Sequence, residues 1–192
     1  MNSSYYQIHA QTFFEGTVNV DMSSLYEAFT SRLPAHAKVL DAGCGSGRDA
    51  LAFTQMGYQV DAFDASSELV ALAREHSGLP VKKMTFADVE AGEEYDGIWC
   101  CASLLHVPFA ELPGVMQKLA AALKPAGIWY FSFKYGDSER EKDGRSFTDI
   151  NEARLTTLLK DLPDLEIAEQ WLTHDVRPDR DEIWLNVILT RR

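Results

Sequence analysis

Basic residues are scarce in this 192-residue chain: 18 lysines and arginines stand against 29 aspartates and glutamates, a formal net charge of −11. Phosphate contacts supply much of nucleic-acid affinity, so this balance speaks against a polyanionic partner, and no nucleic acid is expected. Cysteine is almost absent as well. Cys44 stands alone and Cys100-Cys101 are adjacent, which gives neither a disulfide framework nor metal-ligand spacing, so no metal is expected. No apolar run reaches the roughly 18 residues that a membrane span needs. The N-terminus Met1-Asn2-Ser3-Ser4-Tyr5-Tyr6 also lacks a basic-then-apolar signal, so a cytoplasmic location without membrane association is expected. His9, His36, His76 and His174 show no ligand spacing, and no repeat or low-complexity tract is present.

What the chain does have is hydrophobic residues at 46%, in a length that suits one domain able to cover both faces of a sheet with helices. The expected organisation is a single domain over 1–192. It comprises an N-terminal helical or lid segment (1–34), a ligand-binding core (35–135) and a C-terminal loop, helix and hairpin (136–192), with no room for a separate substrate domain. The organising stretch is Val39-Leu40-Asp41-Ala42-Gly43-Cys44-Gly45-Ser46-Gly47-Arg48-Asp49. Lys38 to Leu40 with Ala42 reads as the end of a buried strand, and Gly43, Gly45 and Gly47 as a loop opening into a helix. Strand, glycine loop and helix form a nucleotide-binding geometry, because a missing Cβ lets a ligand approach backbone N–H groups at a helix start. A dinucleotide fingerprint counted from Gly43 would need a small residue at position 48, where Arg48 stands; this opposes an NAD-dependent oxidoreductase. Asp41 at the strand end would repel a pyrophosphate and attract an ammonium group. Asp64 closes the next predicted strand, Tyr58 to Phe63, where a nucleotide fold needs an acid for both ribose hydroxyls.

In these residues the chain resembles the class I S-adenosylmethionine-dependent methyltransferases. The resemblance runs from Val39 to Gly47 through Asp64, Asp88, Tyr95-Asp96-Gly97-Ile98-Trp99-Cys100-Cys101 and Leu123-Lys124-Pro125-Ala126-Gly127, in the family's order. It implies an α/β, Rossmann-like doubly wound sheet of seven strands, mostly parallel with the last strand antiparallel. It also implies S-adenosyl-L-methionine as cofactor, contacted by Asp41, Gly43, Gly45, Gly47, Asp64, Asp88, Val89 and Cys101, with Asp88 accepting from the adenine amino group and Val89 beside it. A turn aspartate is the plainer reading of Asp88. The activity implied is methyl transfer to a small-molecule or oxyanion acceptor, with some likeness to tellurite and thiopurine-type methyltransferases. A non-catalytic cofactor-binding sensor or partner module is the alternative. The Asn/Asp-Pro-Pro-aromatic signature of DNA amino-methyltransferases is replaced by Cys101-Ala102-Ser103-Leu104.

Around this core the pattern predicts a helix with Leu25, Phe29 and Leu33, a third strand over Val81 to Phe86, and a fifth over Ile128 to Phe133. Asp149 and Glu152 have capping-box spacing, and a terminal hairpin pairs Leu165 to Trp171 with Ile183 to Leu189. The N-terminal aromatics Tyr5, Tyr6, Phe13 and Phe14 suit either a lid or a helix covering a sheet edge. The polar stretch from Lys134 to Arg145 suits a mobile loop or a functional flap at the ligand edge.

A sulfonium methyl needs an aligned nucleophile and exclusion of water rather than a metal or a triad. His106, after the fourth strand, is the candidate base, its alternative role being a structural histidine at a helix start. Tyr6, Lys134, Arg145 and Arg177 are the candidate acceptor-binding residues, since both C-terminal connections belong at the carboxyl edge of the sheet. Interleaved acids leave a solvated mixed-charge loop as the alternative to an anion site. A monomer or homodimer is expected.

Overall fold

The strand before the glycine loop is β1, Lys38–Ala42, with four of its five residues buried. In the computed structural model, which describes residues 2–192, it lies near the middle of a seven-stranded sheet of order β3-β2-β1-β4-β5-β9-β8. The other strands of that sheet are β2 (Gln59–Asp64), β3 (Lys82–Lys83), β4 (Tyr95–Cys100), β5 (Leu123–Lys134), β8 (Leu165–His174) and β9 (Ile183–Arg191). Pairing is parallel from β3 through β5, and β9 runs antiparallel to both β5 and β8. The expected doubly wound sheet with an antiparallel last strand is therefore the fold.

Both faces of the sheet are covered, as buried parallel strands require. Leu40 and Ala42 of β1 and Ile98 and Cys100 of β4 share one cluster with Met116 and Leu119 of helix α5 (Leu112–Ala122). Val39 and Trp99, on the alternate positions, pack with Phe29 of α2 (Ser23–Thr30) and Phe53 of α3 (Arg48–Gln55). Trp99 stacks on Tyr130 at 4.2 Å between ring centroids. Helix α4 (Ser67–Ser77) is capped by Ser66, whose side chain accepts from Leu69 N–H, and it ends at Gly78 with a left-handed φ of 72°. The order reverses between β1 and β4, and at such a switch point an open sheet leaves a crevice beyond the strand ends.

Three local expectations change. The third strand shrinks to Lys82–Lys83, because Thr85 and Asp88 close a capped 3-10 turn over Phe86–Asp88 in place of further pairing. The polar stretch after β5 contains a β-hairpin, β6 (Glu139–Lys142) with β7 (Arg145–Thr148), turned at Asp143 and Gly144, both with positive φ. Helix α6 (Glu152–Leu159) is capped by Asn151 rather than Asp149, whose carboxylate is taken by Arg140 at 2.8 Å. Ahead of the sheet, helix α1 (Asn2–Thr17), irregular at His9, packs against α4.

Candidate active site

The glycine loop is held in shape by its own backbone. Gly43 N–H and Cys44 N–H both donate to Phe63 O of β2, at 3.0 and 2.9 Å. Gly43 has a φ of 77°, and a Cβ there would lie 2.5 Å from Ser103 Cβ in the loop after β4. At Gly45, with a φ of 54°, a Cβ would lie 3.1 Å from the Phe13 ring. Gly47 differs from these two, since its missing Cβ makes room for Ala73 of α4 and so serves helix packing.

Beside the loop, Asp64 ends β2 with both oxygens engaged. Gly45 N–H donates to Oδ2 at 2.9 Å and Ser66 N–H to Oδ1 at 3.0 Å. Burial raises its carboxyl above the ordinary value, opposed by these N–H groups. Asp41 lies behind the loop, 2% exposed, with its Oδ2 buried and unpartnered. Burial, then the neighbouring Asp49, lifts it well above the carboxylate range, which favours the neutral form. Asp41, expected to attract an ammonium group, does not itself line the cavity beside the loop. Asp49 keeps its charge through Arg48 at 2.8 Å, Trp99 Nε1 at 2.9 Å and the Tyr26 hydroxyl.

A cavity of about 740 Å³ opens over this end of the sheet, within the range of about 300–1,000 Å³ usual for small-molecule sites. Its wall unites Gly43, Gly45, Asp64, Cys101, Tyr6, His106, Lys134, Arg145 and Arg177. Asp41, Gly47, Asp88 and Val89 are not on it. The Asp88 carboxylate accepts from Thr85 N–H at 2.8 Å and Thr85 Oγ1 at 3.0 Å, so it serves its own turn, and Met84, Thr85 and Phe86 line the cavity there. The Cys101 thiol is pushed up to about 12 by burial and stays protonated.

Helix α1 supplies the wall opposite the glycine loop. Gln7 anchors it by donating to Ser67 Oγ at 2.6 Å and to Glu68 Oε1 at 3.2 Å on α4, which brings Tyr6 and Phe13 over the loop. Tyr6 and His106 then meet at 2.9 Å between Oη and Nε2. The other ring nitrogen, Nδ1, lies 3.1 Å from Ser146 O. A carbonyl only accepts, so the proton sits on Nδ1, Tyr6 donates, and the Nε2 lone pair faces the tyrosine. Burial, with Arg145 and Lys134 adding to it against the Ser146 bond, lowers His106 to about 4.

The far half of the cavity was less legible in the sequence. Tyr130, Trp171, Trp184, Ser132 and Asn186 line it, and Tyr130 Oη donates to Asn186 Oδ1 at 2.7 Å. The available signal was one polar residue inside each of two apolar runs, Ser132 in Ile128 to Phe133 and Asn186 in Ile183 to Leu189, 3% and 1% exposed. Arg177 reaches the wall but is already paired with Asp175, at 2.7 and 3.0 Å.

Residues 39–127, from β1 into β5, match the family model described as a methyltransferase domain. Over these residues the chain is similar to methyltransferase domains. A ubiquinone biosynthesis O-methyltransferase of Xanthomonas axonopodis pv. citri is 36% identical over 114 residues, which cover 55% of this chain and 47% of that relative. The chain thus spans about half the length of the curated relatives it matches. In fold it is similar to the 1,6-didemethyltoxoflavin-N1-methyltransferase of Burkholderia thailandensis, solved with S-adenosylhomocysteine (TM-score 0.78, 21% identity, 98% of this chain and 84% of that one). It is also similar to the magnesium protoporphyrin IX methyltransferase of Synechocystis PCC 6803 (TM-score 0.75, 18% identity, 100% and 98%). The residues present fit the cofactor of this domain: a glycine loop that a Cβ would fill, a buried carboxylate at the end of β2, and a cavity joining them. Among the described residues no helix is long and apolar enough to cross a membrane.

Proposed function

We propose that the chain transfers the methyl group of S-adenosylmethionine to a small molecule enclosed under α1. The observation that carries this reading is the single cavity joining the glycine loop and Asp64 to the Tyr6–His106 pair. The bound cofactor supplies an electrophilic sulfonium methyl. Asp64, with two oxygens at the β2 end, takes the ribose hydroxyls; Gly43 and Gly45 admit the ligand to the loop backbone; Met84 to Phe86 wall the base. Tyr6 and Phe13 close the cavity from above and exclude water, so alignment of the acceptor does most of the work. An acceptor proton passes to Tyr6 Oη as the tyrosine's own proton moves to His106 Nε2, from which burial beside Arg145 and Lys134 readily expels it. The similarity to a ubiquinone biosynthesis O-methyltransferase agrees with a small-molecule acceptor.

The test is incubation of the full chain with methyl-labelled S-adenosylmethionine and a panel of hydroxyl, thiol and amine acceptors. The expected result is a labelled product with equal release of S-adenosylhomocysteine. Cofactor binding with no labelled product from any member would contradict transfer and support a sensor.

A further inference from the structure

Four arginines reach the cavity wall, Arg48, Arg145, Arg177 and Arg180. Three have acids: Arg48 pairs with Asp49 at 2.8 Å, Arg177 with Asp175 at 2.7 Å, and Arg180 lies 3.9 Å from Glu182. Arg145 forms no ion pair with any described residue, and its Nε is buried without a hydrogen-bond partner. An N–H withdrawn from water without an acceptor is costly, and the cost is recovered when a ligand brings a carboxylate to it and to the planar fork it belongs to.

Its surroundings preorganise it. The guanidinium carbon lies 4.7 Å from the Tyr5 ring centroid and 5.1 Å from that of Phe147, so two aromatic faces hold it. Nη1 donates to Tyr6 Oη at 3.4 Å, which puts the free charge next to the proton-accepting pair. Close by, Lys134, Lys142 and Arg180 share the Glu182 carboxylate, at 3.4, 3.4 and 3.9 Å. The cavity offers further aromatic wall in Phe147 and, in its far half, Tyr130, Trp171 and Trp184.

Building on the methyl transfer proposed above, we infer that the acceptor is an aromatic acid whose carboxylate is bound by Arg145, making Arg145 the residue that selects the substrate class. The β6–β7 hairpin, which carries Arg145 at its turn, is then a specificity element. The carboxylate sits beside Tyr6 and leaves a ring hydroxyl or thiol for methylation in the same end of the cavity.

The test uses paired probes on the full chain saturated with S-adenosylhomocysteine: salicylate against salicylamide, and thiosalicylate against its amide, by calorimetry. In each pair the carboxylate should bind about tenfold more tightly, the value of one charge-assisted bidentate contact. Arg145→Gln should remove that preference and leave the S-adenosylhomocysteine affinity unchanged, which also shows that the variant is folded. Arg145→Lys, keeping the charge without the fork, should retain part of it. Amides binding as well as the acids, no binding by any probe, or a preference that survives Arg145→Gln would each overturn the inference. Methyl transfer to these probes, measured separately, distinguishes the two proposals: preference without transfer contradicts the function, and transfer without preference contradicts the carboxylate site.

Discussion

His106 is drawn down to about 4 because its ring is packed under α1, beside Arg145 and Lys134. A histidine that titrates low in the folded state binds fewer protons than in the unfolded chain between about pH 4 and 6.5, so stability rises with pH across that window. Its contribution is complete above about 6.5 and is lost as pH falls through about 4. His106→Gln should flatten the acid side of the stability profile, measured by urea melts from pH 4 to 7, and lower kcat with little change in cofactor affinity. An equal loss of cofactor affinity would make it a structural residue instead. Asp64 was readable in the sequence because its place follows from the end of a strand. The surroundings of Asp41 were not, since they depend on Asp49 across the glycine loop, and the pairing of Arg177 with Asp175, two residues away, rests on the local turn.

At the scale of elements, the glycine loop and α1 depend on each other. Gly45→Val would place a branched side chain where Phe13 sits at 3.1 Å, at a φ of 54° that valine resists. Hydrogen exchange in α1 should rise sharply in this variant and S-adenosylhomocysteine binding should be lost; protection left intact would show that α1 does not rest on the loop. Gln7→Ala is milder, giving up the partly solvated hydrogen bonds that tie α1 to Ser66, Ser67 and Glu68. It should loosen α1 while barely moving Tm. Whether the N-terminal aromatics formed a lid or covered an edge was open in the sequence, because Tyr6 and Phe13 are at helical spacing in either case. Their contacts with His106 and Gly45 decide where the helix lies. The β6–β7 hairpin was hidden by its charge: Glu139 to Lys142 has no apolar alternation, and the pairing is imposed by the turn at Asp143-Gly144.

For the whole molecule, the core on the α2 and α3 side of the sheet centres on Trp99, fully buried among Phe53, Phe29 and Tyr130 and donating to Asp49. Trp99→Ala should cost about 3–5 kcal/mol, read as a lower urea midpoint. The strand order was legible because buried apolar strands alternate with helices along the chain, a pattern that admits few topologies. The cavity's far wall was not, since β8 and β9 bring Trp171, Trp184 and Asn186 there by antiparallel return. The central claim, that this fold builds a cofactor site from the glycine loop and the β2 carboxylate, is tested most directly by calorimetric titration with S-adenosylhomocysteine. The wild-type chain should show one saturable site, and Asp64→Ala, unchanged in circular dichroism, should bind at least about tenfold more weakly, as loss of a charged acceptor worth about 1.5–3 kcal/mol requires. Equal affinity in the two proteins, or no binding to the wild type, would contradict it.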